Sequence, residues 1–256
     1  MSACNWDGTS YDRISQIQQG WGAEVLGRLD LNGDERVLDA GCGSGRVTEM
    51  VLERVPGGQV VAVDASPSMV AAAEERLAGP TSPYAGRVEI VRCDLAELEL
   101  AEPVDAVIST ATFHWIPDHA RLFARIHGAL RPGGQFVAQC GGEGNIEGLR
   151  SHARAVLAEP PYAGHFEGWQ APWNYAGAEV TEGRLREAGF AEARCWLSDA
   201  PSTPNEPREF LSTIVLGPHV QRLPEELRDP FMDEVLERIG EPVVIDYVRL
   251  NIEARA

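Results

Sequence analysis

The stretch Val37-Leu38-Asp39-Ala40-Gly41-Cys42-Gly43-Ser44-Gly45-Arg46-Val47 limits what this chain can fold into more than any other. Val37 and Leu38 read as the end of a buried strand. Glycines follow at alternate positions, and then Val47, Met50, Val51 and Leu52 fall at helical spacing. Strand, glycine-rich turn and helix, in that order, open a nucleotide-binding α/β sheet. Glycine has no Cβ, so the turn can be tight and its backbone can touch a ligand. The first N–H groups of the helix point back at that turn. Arg46 stands where the dinucleotide fingerprint needs its third glycine, which counts against a nicotinamide dinucleotide.

Further strands follow, separated by helical patterns. Gln59 to Asp64 is apolar and ends in an acid, 19 residues after Gly45. Ser66-Pro67-Ser68 then caps a helix with Met69, Val70, Ala73 and Leu77 on one face. Arg87 to Asp94 alternates and again ends in an acid. Three successive strands therefore end at Asp39, Asp64 and Asp94. Strand ends on one edge of a parallel sheet share a crevice, and a carboxylate there can accept from both hydroxyls of a ribose. Val104 to Ser109 reads as the fourth strand, followed by Thr110-Ala111-Thr112-Phe113-His114-Trp115-Ile116-Pro117-Asp118. A helix with Leu122, Phe123, Ile126 and Leu130 as its stripe stops at Arg131-Pro132-Gly133-Gly134. Gln135 to Cys140, Ala193 to Leu197 and Val243 to Ala254 complete the strands.

Asp39-x-Gly41-x-Gly43-x-Gly45 resembles the first motif of the class I S-adenosylmethionine-dependent methyltransferases, and Asp64-x-Ser66-x-x-Met69 the second. His114-Trp115-x-Pro117-Asp118 is similar to the fourth motif in the trans-aconitate methyltransferase and malonyl-carrier-protein methyltransferase group. The resemblance spans residues 1–140 and the final strand. It implies a doubly wound, seven-stranded, mostly parallel Rossmann-like sheet, its last strand antiparallel, with helical lid insertions. It also implies S-adenosylmethionine as cofactor. Gly41, Cys42, Gly43 and Gly45 would face its methionine end, with Asp39 positioning the loop. Asp64 would hold the ribose, with Ala65 beside it and Met69 near the adenine, and Cys93, Asp94 and Leu95 would meet the adenine. Thr110 and Ala111, opening the fourth motif, would lie beside the methyl, and Trp115 would pack on the adenine or wall the pocket. His114 would act as a base or orient the nucleophile, and Tyr11, on an N-terminal arm, would line the active site.

The expected organisation is a single methyltransferase domain over 1–256. Within it, 1–35 is a helical arm, 36–140 the cofactor core, 141–180 and 199–242 substrate lid elements, and 243–256 the last strand. Aromatic residues and histidines crowd the first lid element among prolines and glycines, and Trp169 and Trp173 are its candidate substrate residues. Phe210 to Leu216 and Leu227 to Ile239 each suggest an amphipathic helix in the second. The resemblance implies O-methylation of a carboxylate, trans-aconitate-like or an acyl acid; such a nucleophile needs no base at neutral pH, whereas a phenol or alcohol would want one. Arg150 and Arg154, four apart, would clamp a polyacid. The alternatives are a specialised-metabolite O- or N-methyltransferase and a non-catalytic cofactor-binding regulator.

The chain has 256 residues, 44% of them hydrophobic, enough for a sizeable core. Its net charge of −17 disfavours nucleic acid and anionic membranes as partners. The charge also argues mildly against a strongly anionic substrate. The five cysteines form no Cys-x-x-Cys pair, so they read as thiols of a reducing compartment, with no metal site. No leader pattern or membrane-length apolar run is visible. The expectation is a cytoplasmic monomer or homodimer acting on a small molecule.

Overall fold

A computed structural model describes residues 16–256. Its seven strands lie in one sheet, in the order β3-β2-β1-β4-β5-β7-β6. They are β1 (Arg36–Ala40), β2 (Gln59–Asp64), β3 (Val88–Arg92), β4 (Val104–Thr110), β5 (Leu130–Gly141), β6 (Glu192–Asp199) and β7 (Val248–Arg255). The first five run parallel, and β7 is antiparallel to both neighbours. The helices are α1 (Gln16–Leu26), α2 (Arg46–Arg54), α3 (Pro67–Leu77), α4 (His119–Ala129), α5 (Glu147–Leu157), α6 (Ala178–Ala188), α7 (Pro207–Phe210), α8 (Gly217–Arg222) and α9 (Glu225–Ile239).

The chain order reverses between β1 and β4, the switch point at which such sheets open a crevice. Parallel strands there are covered on both faces, so they need apolar residues at consecutive positions. In β1 the run Val37-Leu38-Asp39-Ala40 is buried throughout, and Asp39 is its one carboxylate. Leu122, Phe123 and Ile126 of α4 are fully covered, and Phe113, Phe123 and Phe136 meet at centroid distances of 6.0 to 6.4 Å. Each such side chain contributes on the order of 1.5–3 kcal/mol by leaving water.

A second core lies outside the sheet. Leu149, Ala153 and Val156 of α5, Phe210, Leu211 and Leu216, and Phe231, Met232 and Val235 of α9 form one buried cluster with Tyr162. The two segments read from sequence as separate lid elements thus share one hydrophobic interior.

The third strand stops at Arg92, two residues short of the Asp94 at which the sequence reading ended it, and three elements differ more than that. The single helix expected from Phe210 to Leu216 is broken into α7, a π turn at Leu211–Val215, and α8. Pro218 has no N–H to continue the ladder, so the chain loosens and restarts at Gly217. The fifth strand begins at Leu130, which pairs with Val104, and resumes pairing at Gln135 after a register shift across Pro132-Gly133-Gly134. The last strand begins at Val248. Val243, Ile245 and Tyr247 precede it and are buried in the second cluster, so their alternation reflects packing outside the sheet.

Candidate active site

A cavity of about 660 Å³ opens at the carboxyl ends of β1, β2 and β4, within the range of small-molecule sites. Its floor is the glycine turn. Gly41, Gly43 and Gly45 have φ of 86°, 55° and 85°. A Cβ on Gly43 would meet no atom within 4 Å and would point into open space. A Cβ on Gly45 would instead lie 2.7 Å from Leu77 Cδ1, because this glycine lets α3 pack beneath the turn. Gly41, Cys42 and Gly43 line the cavity, whereas Gly45 does not.

Asp64 closes the turn. Its Oδ2 accepts from Gly43 N at 3.0 Å and its Oδ1 from Ser66 N at 2.8 Å. Burial raises its pKa, opposed by those backbone hydrogen bonds. Each oxygen keeps a further lone pair for a ligand hydroxyl. Ala65, Met69, Asp94 and Leu95 continue the wall, and Asp94 also caps the following turn by accepting from Ala96 N at 2.9 Å. Cys93 lies just outside. Asp39 lies beneath the turn, out of the cavity. Its Oδ2 accepts from Thr48 Oγ1 at 2.6 Å, its Oδ1 has no partner, and burial pushes its pKa to about 7.

The opposite wall follows β4. Thr110 and Ala111 line the cavity, and Ala111 holds φ of 54°. Ile146, also in the wall, has φ of 53°. Such conformations cost on the order of 1–3 kcal/mol outside glycine and cluster at ligand sites. A short 3₁₀ turn, Phe113–Trp115, then presents His114 and Trp115. His119 braces it through Nε2 at 2.9 Å from Phe113 O. The segment around Asn174 docks on the same turn: its N–H donates to His114 O at 2.8 Å and its amide to Pro117 O at 2.9 Å. This docking places Trp173 and Tyr175, stacked at 6.0 Å and 6°, in the wall.

His114 is 9% exposed, and burial, with Arg249 and His119 nearby, drives its pKa down to about 3. Its Nδ1 accepts from Gly141 N at 3.2 Å. The neutral ring therefore carries its proton on Nε2, so His114 is a donor toward the cavity's contents and has no free lone pair to take a proton. Of the two roles that the sequence left open, the geometry favours orienting the nucleophile.

The other expected substrate residues are distributed unevenly. Trp173 is in the wall. Trp169 packs behind it, on Phe166 and His219 at 5.3 and 4.8 Å. Arg150 and Arg154 are on one helix, as expected, but both pair with Glu147 and neither lines the cavity. Arg150 lies over the Trp173 and Tyr175 rings, at 5.8 and 5.5 Å. Tyr11 lies outside the described residues. The sequence reading missed Arg249, Asn145 and Tyr247, all cavity-lining. The signal for Arg249 was an arginine inside the apolar alternation of the last strand. Among the described residues, no group of three or more His, Cys, Asp or Glu could hold a metal.

The glycine floor, the open space above Gly43 and the Asp64 carboxylate fit a nucleoside-bearing ligand. Comparison with known proteins agrees. The methyltransferase domain family matches residues 37–134. The trans-aconitate 2-methyltransferase of Methylobacterium nodulans is 32% identical over 201 residues, covering 78% of this chain and 69% of that protein. The chain belongs to the class I S-adenosylmethionine-dependent methyltransferases. A trans-aconitate 2-methyltransferase of Acidovorax sp. (strain JS42) is 28% identical over 252 residues, covering 93% of this methyltransferase and 90% of the relative. Among solved structures, phosphoethanolamine N-methyltransferase 2 of Haemonchus contortus, in complex with phosphomonomethylethanolamine and S-adenosylhomocysteine, matches with a TM-score of 0.62 at 22% identity. That match covers 97% of this chain and 56% of that one. A mycolic acid cyclopropane synthase complexed with S-adenosylhomocysteine matches with a TM-score of 0.61 at 15% identity, covering 100% and 90%. At these identities the structures show the fold.

Proposed function

We propose that this methyltransferase transfers the methyl of S-adenosylmethionine to a carboxylate oxygen of a small organic acid, as the names of its relatives suggest. One observation carries the choice of acceptor: His114 is neutral, with its lone pair engaged by Gly141 N. Tyr175 beside it is pushed up to about 12, chiefly by burial. Neither group can take a proton at neutral pH, and a carboxylate has none to lose.

Bound S-adenosylmethionine supplies a methyl on a sulfonium, already a strong electrophile. The chain's task is then to position and to exclude water. In this reading Asp64 accepts the ribose hydroxyls, and Asp94 and Leu95 meet the adenine between Met69 and Ile116. Gly41, Cys42 and Gly43 hold the methionine portion, with Asp39 bracing the turn from below through Thr48. Thr110 and Ala111 border the methyl, Trp115 walls the pocket, and His114 Nε2–H orients the acceptor. The cap of α5 and α7 to α9 acts as the lid of a single domain. Unpaired thiols at Cys42, Cys93, Cys140 and Cys195 fit a cytoplasmic setting. A charge of −17 fits a small-molecule acceptor better than a nucleic acid.

The stacked Trp173 and Tyr175 rings favour a second reading, in which a ring-bearing metabolite is methylated on oxygen or nitrogen. Transfer of labelled methyl to a panel of polyacids, monoacids, phenols and amines separates the two. We expect label in base-labile esters of the acids. Label confined to phenols or amines would replace the first reading with the second.

A further inference from the structure

Where the cap meets the sheet, the cavity wall is apolar and aromatic. Ile146, Trp173, Tyr175, Ile214, Val215 and Tyr247 line it, and Tyr175 stands 5.7 Å from the His114 ring. Two departures from regular backbone put this wall in place. Ile146 precedes α5 with φ of 53°, a conformation that a β-branched residue adopts only under constraint. Its N–H donates to Asp246 O at 2.9 Å, and the Asp246 carboxylate accepts from Gly148 N at 2.7 Å. The second departure is the π turn at Leu211–Val215. Such a turn re-aims the side chains that follow it, and π turns recur at functional sites. Here Leu211 and Leu216 stay in the second core while Ile214 and Val215 reach the cavity.

The polar groups on this side are few and already engaged. Asn145 Oδ1 accepts from Val248 N at 2.9 Å, and the Asn145 side chain also hydrogen-bonds the Tyr175 hydroxyl. Arg150 pairs with Glu147 while lying over the Trp173 and Tyr175 rings. Arg249 lines the cavity with its guanidinium over the Trp21 ring at 4.5 Å. Among the described residues, at most one lining cation on this side therefore meets an acceptor. A tricarboxylate held here would bury further charges without a partner, which is costly. Asp64, Asp94 and Asp118 line the same cavity and add repulsion.

We propose that the acceptor is a monocarboxylic acid with a flat apolar body, aromatic or conjugated, selected by Trp173 and by Ile214 on the π turn. This rests on the carboxylate-methylating reading above and adds the class of acid and the residues that choose it. The body lies against Trp173, Tyr175, Ile214 and Val215, and the carboxylate meets His114 Nε2–H. A flat body suits this wall because the Trp173 and Tyr175 planes lie within 6° of each other, and ring stacking adds to plain burial. One carboxylate oxygen forms the new O–CH₃ bond as the C–S bond breaks with its electron pair going to sulfur. No proton moves. The products are S-adenosylhomocysteine and an uncharged methyl ester.

The test compares trans-cinnamate, 3-cyclohexylpropanoate, crotonate and trans-aconitate as acceptors, using wild type, Ile214→Ala and Trp173→Leu. For wild type, kcat/KM on trans-cinnamate should exceed that on crotonate and on trans-aconitate by about a hundredfold, the scale of a lost apolar group or an unpaired buried charge. Ile214→Ala should raise KM for trans-cinnamate about tenfold. Trp173→Leu should cost trans-cinnamate more than 3-cyclohexylpropanoate, because only the planar acid loses stacking. Calorimetry of trans-cinnamate against protein saturated with S-adenosylhomocysteine should show the same losses, while affinity for S-adenosylhomocysteine itself stays within about threefold. Use of trans-aconitate as good as that of trans-cinnamate by wild type overturns the proposal and leaves carboxylate methylation standing. Transfer only to phenols or amines would instead remove the reading beneath it. Equal losses on the planar and the cyclohexyl acid in Trp173→Leu would overturn the flat body. Loss of S-adenosylhomocysteine affinity in Ile214→Ala would assign that wall to the cofactor and overturn its role in selection. Should a variant fail to fold, the wild-type series decides alone: 3-cyclohexylpropanoate or crotonate as good as trans-cinnamate overturns the proposal.

Discussion

His114 shows how one backbone contact decides what a side chain can do. A histidine in the wall of a cofactor-sized cavity invites a general-base role, and its sequence context does not tell base from donor. Gly141 N occupies Nδ1, and burial holds the ring neutral down to about pH 3. The expected pH profile of kcat/KM therefore has no ascending limb near the ordinary histidine pKa, and falls only where the acceptor's own carboxylates protonate. Profiles for two acids of different pKa should shift with the acid, and His114→Gln should lower the plateau without moving the limb. A limb near pH 6.5 that vanishes in the variant would restore the base. Asp64 and Asp94 were legible as cavity-lining residues because apolar, strand-like runs lead into each of them; Asp64 ends β2, and Asp94 stands two residues past the end of β3, where it caps the next turn. Arg249 was not, because β7 pairs with β5 across more than a hundred residues of chain and inserts antiparallel. That register, and not any local pattern, brings Arg249 beside His114.

At the scale of the element, the glycine turn separates two functions that one motif merges. All its glycines look alike in sequence, yet Gly43 faces the cavity and Gly45 faces α3. An alanine at either position meets a left-handed backbone, costing on the order of 1 kcal/mol. At Gly43 the new methyl intrudes only on ligand space. Gly43→Ala should thus weaken S-adenosylhomocysteine at least tenfold by calorimetry, with a small drop in melting temperature. At Gly45 the methyl strikes Leu77 at 2.7 Å, and overpacking adds about 1–3 kcal/mol. Gly45→Ala should lose more stability, and lose affinity only as far as the turn shifts. The reverse ranking would mean that the two positions are misassigned. The helices of the cap were harder to read. The apolar stripe of Phe210, Leu211, Ile214 and Val215 is real and buried or partly so, but Pro218 breaks its ladder, so periodicity placed the face correctly and the helix wrongly.

At the scale of the whole molecule, the two hydrophobic cores carry buried ionisable groups of opposite effect. The sheet was legible because parallel strands demand consecutive apolar residues. The cap was not, because its core gathers single residues from distant segments, among them Tyr162, Phe231 and Ile245. His219 lies in that cap, 4% exposed against Phe166, Trp169, Trp173 and Phe231, with Nδ1 unpartnered. Burial, with a smaller push from Arg150, lowers its pKa to about 4, and His114 falls to about 3. Unfolded histidine titrates near 6.5. Below that pH the unfolded chain binds protons that the folded chain refuses, so stability is lost progressively as pH falls from about 6.5 toward 4, by up to a few kcal/mol per ring. Asp39 acts oppositely: with a folded pKa of about 7 against about 3.8 unfolded, it costs stability above pH 7 and costs none below pH 4. Melting temperature should therefore fall between pH 6.5 and 4.5 by less than the histidines alone would impose. His219→Phe, which replaces the unpartnered ring with an apolar one, should flatten that fall, while Asp39→Asn should raise stability at pH 8 and steepen it. Parallel melting curves for wild type and His219→Phe over this range would show that the ring is not held neutral in the cap.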